Sequence, residues 1–534
     1  MDGLIYHGSH PRIMNYFDYI VISVYVVGFL FLGRLFKGAK SGDEYFLGGK
    51  SFGWFPLSLS TAATQISAIS FISAPAFVGL KEGGGMMWLT FEFAVPLAML
   101  FLSIFLIPPM YRAGIVSVYE FLENRFGPSS RLLLSAVFQV SRAFATSVMI
   151  YTVALILTSV VGVPMWATIL IIGVVTLIYA YQGGMKAVVY GDAIQLGLLI
   201  VGILICFFVG LDLVGGWGAF TSQVDVTRLD AVNFGSLGFE GDEFGFWPML
   251  IGGFFLYTSY YGTDQSQVQR LFSAQDMGTV KKTLLVNGLI RFPITMIYCI
   301  MGLILGTLVA TTPEFSSLIP ADKPDLMIPL FITKYLPHGV IGILMVAILS
   351  AAMSSLSSTV NSLSAATIED FFNRDKKLTD SQYAQYSRWA VLFWGVVTLI
   401  LAFYTGDIAK TVIEAINKIG SVFYGPMIAT FVAAVGIRRI HGTGINAGIL
   451  AGVGINVYLW LFVPDVFWFW WNAIGAVVTL GVAYITSLIV SSSQRETKML
   501  GFSWEVNGVH AAVLIGFFIL IVLVSANIGS ILVG

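Results

Sequence analysis

The sequence predicts an all-α protein that crosses a lipid bilayer many times. Of its 534 residues, 57% are hydrophobic and only 11% are charged, which is less than half of the roughly 25% charged residues found in soluble domains. The hydrophobic residues stand in blocks of about 20, the number that a helix needs to cross a hydrocarbon layer of about 30 Å. These observations exclude a water-soluble globular protein. We expect a polytopic α-helical membrane protein.

Fourteen apolar blocks, bounded by charged residues, glycine or proline, are candidate membrane spans. The predicted spans are 17–36, 52–80, 86–108, 130–160, 164–181, 188–211, 246–266, 283–310, 338–370, 387–405, 411–436, 444–463, 468–491 and 511–531. The two longest connections, 212–245 and 311–337, are too short for a separate folded module. We therefore treat 1–534 as a single membrane domain.

The distribution of basic residues predicts the orientation. If the first span runs from outside to inside, most Lys and Arg residues lie in or beside cytoplasmic loops, as the positive-inside rule requires, and both termini lie outside. The chain contains no usable N-glycosylation sequon, which favours the plasma membrane of a bacterium, its inner membrane. The formal net charge of −1 gives no basic excess that would attract nucleic acid.

Two predicted spans lose their apolar character halfway along. The second, SFGWFPLSLSTAATQISAISFISAPAFVGL, is interrupted by small polar residues, and the seventh, GGFFLYTSYYGTDQSQVQR, turns polar at its end. Five spans separate their positions, as expected if a five-helix unit is repeated with inverted topology and each copy opens with a broken helix. The alternative is that 263–270 is the polar end of a shorter helix. A broken helix exposes backbone carbonyls, which are tolerated at membrane depth only beside a cavity or an ion.

A few ionisable residues fall inside or at the edge of apolar spans. Each costs about 2.5–3.5 kcal/mol on insertion scales, so each needs a partner or a function. For Asp192 the alternative to a functional role is a surface ion pair with Lys186; for Arg142 it is a structural contact with Glu92 or a backbone carbonyl. The set comprises Glu92, Arg142, Asp192, Arg291, Glu414 and Lys418, with Asp264 at the edge.

The ninth span contains a dense group of serines in the segment SAAMSSLSSTVNSLS. At 3.6 residues per turn, Ser354, Ser357 and Ser358 share one face of a helix, and Ser355 lies in the adjacent sector. Hydroxyl and carbonyl oxygens can replace the hydration shell of a small monovalent cation. The alternative is that small residues are simply typical of closely packed helices in lipid.

No enzyme class is indicated. The glycine-rich segments GGGMM and GGMKA lack the Lys and Ser/Thr that bind nucleotide phosphates and magnesium. The five histidines lie in the termini or in predicted loops, and no span combines a nucleophile with a base. We therefore expect a transport protein driven by a gradient.

The sequence resembles the sodium/solute symporter family, which includes sodium/glucose cotransporters and the bacterial sodium/galactose and sodium/sialic acid symporters. The segments that carry the resemblance are DEYFLGGKSFGWFPLSLSTAATQISA at 43–68, YQGGMKAVVYGDAIQ at 181–195, QVQRLFSA at 267–274, SSLSSTVNS at 354–362 and YGPMIATF at 424–431. The resemblance implies a leucine-transporter-type fold with two inverted five-helix repeats. These would be 52–211 and 246–436, with a leading helix at 17–36 and peripheral C-terminal helices at 444–531.

The resemblance also implies that two sodium ions are coupled to transport. Sodium site one would use backbone carbonyls and two hydroxyls, from Ala63, Ile66, Ala351, Ser354 and Ser355. Sodium site two would use a carboxylate and three hydroxyls, from Asp192, Ser354, Ser357 and Ser358.

The resemblance leaves two classes of substrate. Sugar-transporting relatives place a sugar-binding glutamate at Glu92, and the galactose symporter has a binding lysine where Arg291 stands. Anion-transporting relatives place an arginine close to Arg142. The implied substrate-binding set is Gln65, Ser67, Ser70, Glu92, Arg142, Tyr260, Tyr261, Arg291 and Asn417, in which Gln65 and Ser70 depart from the residues of the sugar carriers.

The sequence therefore predicts a sodium-coupled symporter that imports a small polar organic solute by alternating access. A sugar or polyol is the expected solute, and an organic anion such as sialic acid or a monocarboxylate is the alternative. A sodium-conducting channel and a polytopic membrane enzyme are hypotheses from other classes. The expected partners are sodium ions, the solute and the lipid bilayer, with no required protein partner.

Overall fold

The computed structural model describes residues 14–38, 41–66, 68–241, 244–404, 412–490 and 506–534. Within these ranges the chain is almost entirely helical, and its only β-type pairings are two isolated bridges. The first part contains α1 (Tyr16–Leu35), α2 (Gly42–Leu47), α3 (Trp54–Gln65), α4 (Ala68–Gly79), α5 (Ala94–Phe101), α6 (Ile107–Arg112), α7 (Glu120–Phe126), α8 (Pro128–Val161), α9 (Met165–Val214) and α10 (Trp217–Gln223).

The second part begins after the loop that follows α10. It contains α11 (Phe246–Thr263), α12 (Gln265–Phe272), α13 (Met277–Thr311), α14 (Pro313–Ser316), α15 (Met327–Tyr335), α16 (Val340–Thr367), α17 (Asp380–Tyr404), α18 (Val412–Gly436), α19 (Gly442–Phe462), α20 (Trp468–Ile489), α21 (Gly508–Ala526) and α22 (Ile528–Val533). Short 3₁₀ or π segments connect several of them, including Met86–Glu92 before α5 and Ile368–Phe372 after α16.

The helices confirm a multi-pass membrane architecture. Among the described residues, eleven helical segments are long and apolar enough to cross a bilayer, or twelve if the bent pair α3 and α4 counts as one span. The predicted number is higher for two reasons. The structure joins the predicted spans 164–181 and 188–211 in the single element α9, and α11 with α12 is not among the eleven. The count of fourteen stays a prediction.

Helix α9 is bent at Gly184. A straight helix of 50 residues would be about 75 Å long, more than twice the hydrocarbon thickness. Gly184 has φ 51° and ψ −143°, a conformation that is accessible to glycine because it has no Cβ. The Tyr179 ring consequently lies close to Gly191, although a straight helix would separate these residues by about 18 Å. Helix α9 therefore consists of two arms, one on each side of Gly184, at the positions of the two predicted spans.

Both predicted helix interruptions are present. Helices α3 and α4 meet at an angle of 53°, and α3 is followed by Ile66, which has the extended angles φ −82° and ψ 90°. Helix α11 ends at Thr263, Asp264 has extended angles, and α12 follows as eight buried residues. The segment 263–270 is therefore the second half of a broken helix, and the alternative of a simple polar helix end is wrong.

The serine-rich helix α16 lies at the centre of the molecule. It packs against both halves of the first broken helix, against α12, and against α1, α8, α9 and α17. Helices α19 and α20 pack together on α18, and α21 packs on α5 and α13 at the periphery. The two breaks and the serines of α16 are thus directed toward the same interior region. The division of the core into inverted repeats stays a prediction.

Candidate functional site

A cavity of about 160 Å³ lies between the two broken helices, α8, α16 and α18. Its wall contains most of the predicted substrate residues, namely Gln65, Ser70, Glu92, Arg142, Tyr260, Arg291 and Asn417. Tyr261 is fully buried but does not line this cavity. Ser67 lies outside the described residues. The structure therefore gathers side chains from distant parts of the chain around one small interior space.

Arg142 is one of two arginines in the cavity wall, and its neighbours are one carboxylate and two tyrosines. Its guanidinium forms an ion pair with Asp264 and donates to the Tyr424 hydroxyl at 3.2 Å. It also lies 5.2 Å from the centroid of the Tyr260 ring. The alternative of a contact between Arg142 and Glu92 is thus wrong, because Asp264 is the carboxylate partner.

Asp264 holds the second break in place. Its Oδ1 accepts hydrogen bonds from the backbone N–H of Ser266 at 2.9 Å and from its hydroxyl at 2.5 Å, so it caps the N-terminus of α12. Its Oδ2 faces Arg142. A negative charge is favourable at a helix N-terminus. The same carboxylate therefore joins the start of α12 to the cation of the cavity.

Glu92 and Arg291 form a second buried ion pair in the cavity wall. The Arg291 Nε and Nη2 groups donate to the two Glu92 carboxylate oxygens at 3.0 and 2.5 Å, and the Thr295 hydroxyl donates at 3.0 Å. The side chains are only 5% and 2% exposed. Both oxygens of Glu92 are thus already engaged, although the resemblance assigned this residue to solute hydroxyls.

Tyr260 connects the two breaks. Its hydroxyl donates to the backbone carbonyl of Thr64, in the last turn of α3, at 3.3 Å. Its ring packs edge-on against Tyr424 of α18 with the centroids 5.9 Å apart. Tyr260 therefore links the end of α3 to α18 at the wall of the cavity.

The residues predicted for sodium site one lie on two elements that pack against each other, α3 and α16. The regular hydrogen-bond pattern of α3 stops where the helix ends at Gln65. The Ala62 carbonyl accepts from the Ile66 N–H at 2.8 Å, and the Thr64 carbonyl accepts from the Tyr260 hydroxyl. Ser355 lines the cavity beside Thr64 and Gln65, and its hydroxyl donates to the Ala351 carbonyl at 3.3 Å. Ala63, Ile66, Ala351 and Ser354 are buried as well.

The residues predicted for sodium site two form one buried cluster. Asp192 Oδ1 accepts a hydrogen bond from Ser354 at 2.6 Å, and Ser357 donates to the Ser354 carbonyl at 3.0 Å. The cluster also contains a residue that the sequence did not indicate. Arg270 of α12 pairs with Asp192 Oδ2 at 2.7 Å and also contacts the Ser358 hydroxyl.

Lys186, the alternative surface partner of Asp192, pairs with a different carboxylate. Lys186 lies 3.6 Å from Glu44 on the surface of the protein, so the alternative of a pair between Lys186 and Asp192 is wrong. The signal that could have identified Arg270 is its position in QVQR, directly after the second break, where a cation at membrane depth requires a partner.

A further cluster that the sequence did not indicate links the second break to the end of α16. The side-chain amide of Gln265 donates to the Val116 carbonyl and accepts from the Val118 N–H, both at 2.8 Å. Between them, Ser117 donates to Asp370 at 2.8 Å, and Asp370 pairs with Arg131 at 2.7 Å. The start of α12, a loop and the end of α16 are therefore fastened together.

Known proteins are similar to this chain over most of its length. The family model described as the sodium:solute symporter family matches residues 45–452. The sodium-coupled monocarboxylate transporter 1 of Xenopus laevis is 27% identical over 452 residues, which cover 83% of this chain and 71% of that protein. The sodium/iodide cotransporter of Homo sapiens is 28% identical over 437 residues, covering 80% and 67%.

A solved structure is also similar along most of the chain. The substrate-bound outward-open state of a Na⁺-coupled sialic acid symporter superposes with a TM-score of 0.81 and 25% sequence identity, covering 91% of this chain and all of that one. The predicted resemblance is confirmed, and sodium is the coupling ion. The chain belongs to the sodium:solute symporter family of multi-pass membrane transporters.

Proposed function

We propose that the protein uses the sodium gradient to import a small organic anion, in the simplest case a monocarboxylate. The observation that carries this proposal is Arg142, whose guanidinium lies in the cavity wall and already binds a carboxylate, that of Asp264. Guanidinium groups bind carboxylates with strong, directed hydrogen bonds. A substrate carboxylate would compete with Asp264 for this cation.

The size and charge of the cavity support a small anion. A volume of about 160 Å³ is below the roughly 300–1,000 Å³ of pockets for drug-sized ligands. The cations Arg142 and Arg291 are balanced by Asp264 and Glu92. A sodium ion bound beside Ser355 would add a positive charge, and its attraction for an anion about 6 Å away is about 3 kcal/mol at an effective dielectric constant of about 20.

The names of relatives point in the same direction. Those named above for a monocarboxylate, for iodide and for sialic acid are all named for anions. The geometry supports an anion over a sugar, because both carboxylate oxygens of Glu92 are engaged while the guanidinium of Arg142 lines the cavity.

Two sodium ions and an alternating-access cycle complete the proposal. Each ion that moves inward gains about 2.3 kcal/mol per 100 mV of membrane potential. Sodium at site one would connect the end of α3 to α16, after which the substrate would draw Tyr260 and Tyr424 over the cavity. The repeats 52–211 and 246–436 would then rock between the two access states.

We place the protein in a plasma membrane with both termini outside.

A sugar or polyol is the second candidate. The observation that favours it is Gln65, whose Oε1 is buried at the cavity and accepts no hydrogen bond from the described residues. A buried acceptor without a donor is unfavourable, and a solute hydroxyl would satisfy it. Ser70 and Asn417 line the same cavity.

Uptake into proteoliposomes tests the proposal. Radiolabelled lactate, pyruvate, galactose and inositol are compared with and without an inward sodium gradient. We expect lactate or pyruvate to accumulate only with sodium, and Arg142→Gln to lose this uptake, while Arg142→Lys keeps part of it because it retains the charge. Accumulation of the neutral solutes alone would overturn the anion assignment. Equilibration without accumulation would indicate a channel.

A further inference from the structure

We infer that Arg270 is a tethered cation that competes with sodium for Asp192. Sodium can then occupy site two only when the guanidinium has withdrawn. The inference rests on the second sodium ion of the proposed function and assigns a role to a residue outside the predicted ligand set.

The contacts of Arg270 involve the same atoms that sodium would need. Its Nη2 lies 2.7 Å from Asp192 Oδ2 and contacts the Ser358 hydroxyl. Its Nε donates to the Ser60 hydroxyl at 2.7 Å, and Ser60 in turn donates to Asp192 Oδ2 at 2.6 Å. Two of the four predicted ligands of site two, Asp192 and Ser358, are therefore already bound to a cation.

Burial makes the two cations alternatives. Arg270 is 1% exposed and Asp192 is fully buried. A buried carboxylate needs one counter-charge, and removal of that charge without replacement is strongly unfavourable. A sodium ion would supply the same single positive charge as the guanidinium. With both cations present, their mutual repulsion in this buried cluster would disfavour sodium.

The position of Arg270 on α12 allows its guanidinium to move away from Asp192. It lies on α12, a helix of eight residues that begins directly after the break at Asp264. Its Nη1 contacts the carbonyl of Ser266 on the same helix, so the guanidinium is anchored to the helix that carries it. A shift of α12 would therefore move the guanidinium away from α9 and α16, and its return would expel the ion. Arg270 is a positioning residue for coupling in this scheme.

Equilibrium binding of ²²Na⁺ to the purified full-length protein, without substrate, tests the inference. If Arg270 occupies Asp192 for about 90–99% of the time, its removal should increase the apparent sodium affinity of site two by about 10- to 100-fold. We expect this increase in Arg270→Gln. Arg270→Lys keeps a positive charge and should give a smaller increase. The double variant Arg270→Gln with Asp192→Asn should lose the gained site.

A milder variant protects the test against misfolding. Ser60→Ala removes the hydroxyl that holds both Nε of Arg270 and Asp192 Oδ2, and should increase sodium affinity by a few fold. Decreased sodium binding in both Arg270→Gln and Ser60→Ala, or unchanged binding in both, would overturn the inference. Asp192→Asn distinguishes failure of this inference from failure of the proposal that a second sodium ion binds. If it binds as much sodium as the wild type while Arg270→Gln gains no site, the second ion itself is absent.

Discussion

The buried ion pair of Glu92 and Arg291 gives a quantitative prediction about the free energy of unfolding rather than about transport. The two hydrogen bonds of 2.5 and 3.0 Å join charges that, at a separation of about 4 Å and an effective dielectric constant of about 20, attract each other by about 4 kcal/mol. Arg291→Met should therefore decrease the free energy of unfolding by about 3–5 kcal/mol, because the buried Glu92 would keep, among the described residues, only the Thr295 hydroxyl as a hydrogen-bond donor.

The double variant Glu92→Met with Arg291→Met removes both charges together. We expect its unfolding free energy to equal or exceed that of the wild type, since replacement of a buried ion pair by apolar residues of similar size is often neutral or stabilising by about 1–4 kcal/mol. The assay is reversible denaturant titration in mixed micelles, followed by circular dichroism, as a double-mutant cycle.

A matched control is the surface pair of Lys186 and Glu44, which are 33% and 37% exposed and 3.6 Å apart. Its coupling energy should be below about 1 kcal/mol. The reasoning is refuted if the Arg291 single variant and the double variant keep wild-type stability and lose only transport, because Glu92 and Arg291 would then bind substrate directly.

Two shorter predictions concern sodium site one and the bend in α9. Ser355→Ala should increase the sodium concentration required for half-maximal uptake by about tenfold. Ser362→Ala, about one turn after the last predicted sodium ligand Ser358, should leave that concentration unchanged. Equal effects of the two variants on sodium-dependent uptake would remove Ser355 from the site. Gly184→Ala should destabilise the protein by more than about 1–2 kcal/mol, because a Cβ at φ 51° would lie 2.6 Å from the Tyr45 carbonyl oxygen. Gly197→Ala, with open space around it, should be neutral or stabilising by up to about 1 kcal/mol. Equal unfolding free energies of the two alanine variants would contradict this.

The buried contacts suggest how the two ends of the site remain connected. Asp264 binds Arg142 at the cavity, and the next residue, Gln265, fastens the loop that carries Ser117. Ser117 contacts Asp370 beyond the end of α16. The start of α12, which faces Arg142, is thus joined through one buried loop to the end of the helix that carries the serines predicted for both sodium sites.

The sequence by itself determined the class of protein, the positions of both helix breaks and the serine-rich segment. These features are local, because the free energy of membrane insertion depends on the composition of about 20 consecutive residues. A run such as TQISA, or the passage from TSYYGT to DQSQ, is visible without knowledge of any neighbouring helix. The family resemblance also follows from short contiguous segments.

Only the tertiary structure decided which charges are paired. Arg142 binds Asp264 across 122 residues, Glu92 binds Arg291 across 199, and Asp192 binds Arg270 across 78. In lipid, hydrophobicity does not select one helix neighbour over another, so side-chain packing and polar contacts determine the relative positions of the helices. The hydropathy pattern contains no information about these contacts. For this reason the sequence predicted the region of the site. The fold determined that Arg142 lines the cavity and that Arg270 forms an ion pair with Asp192.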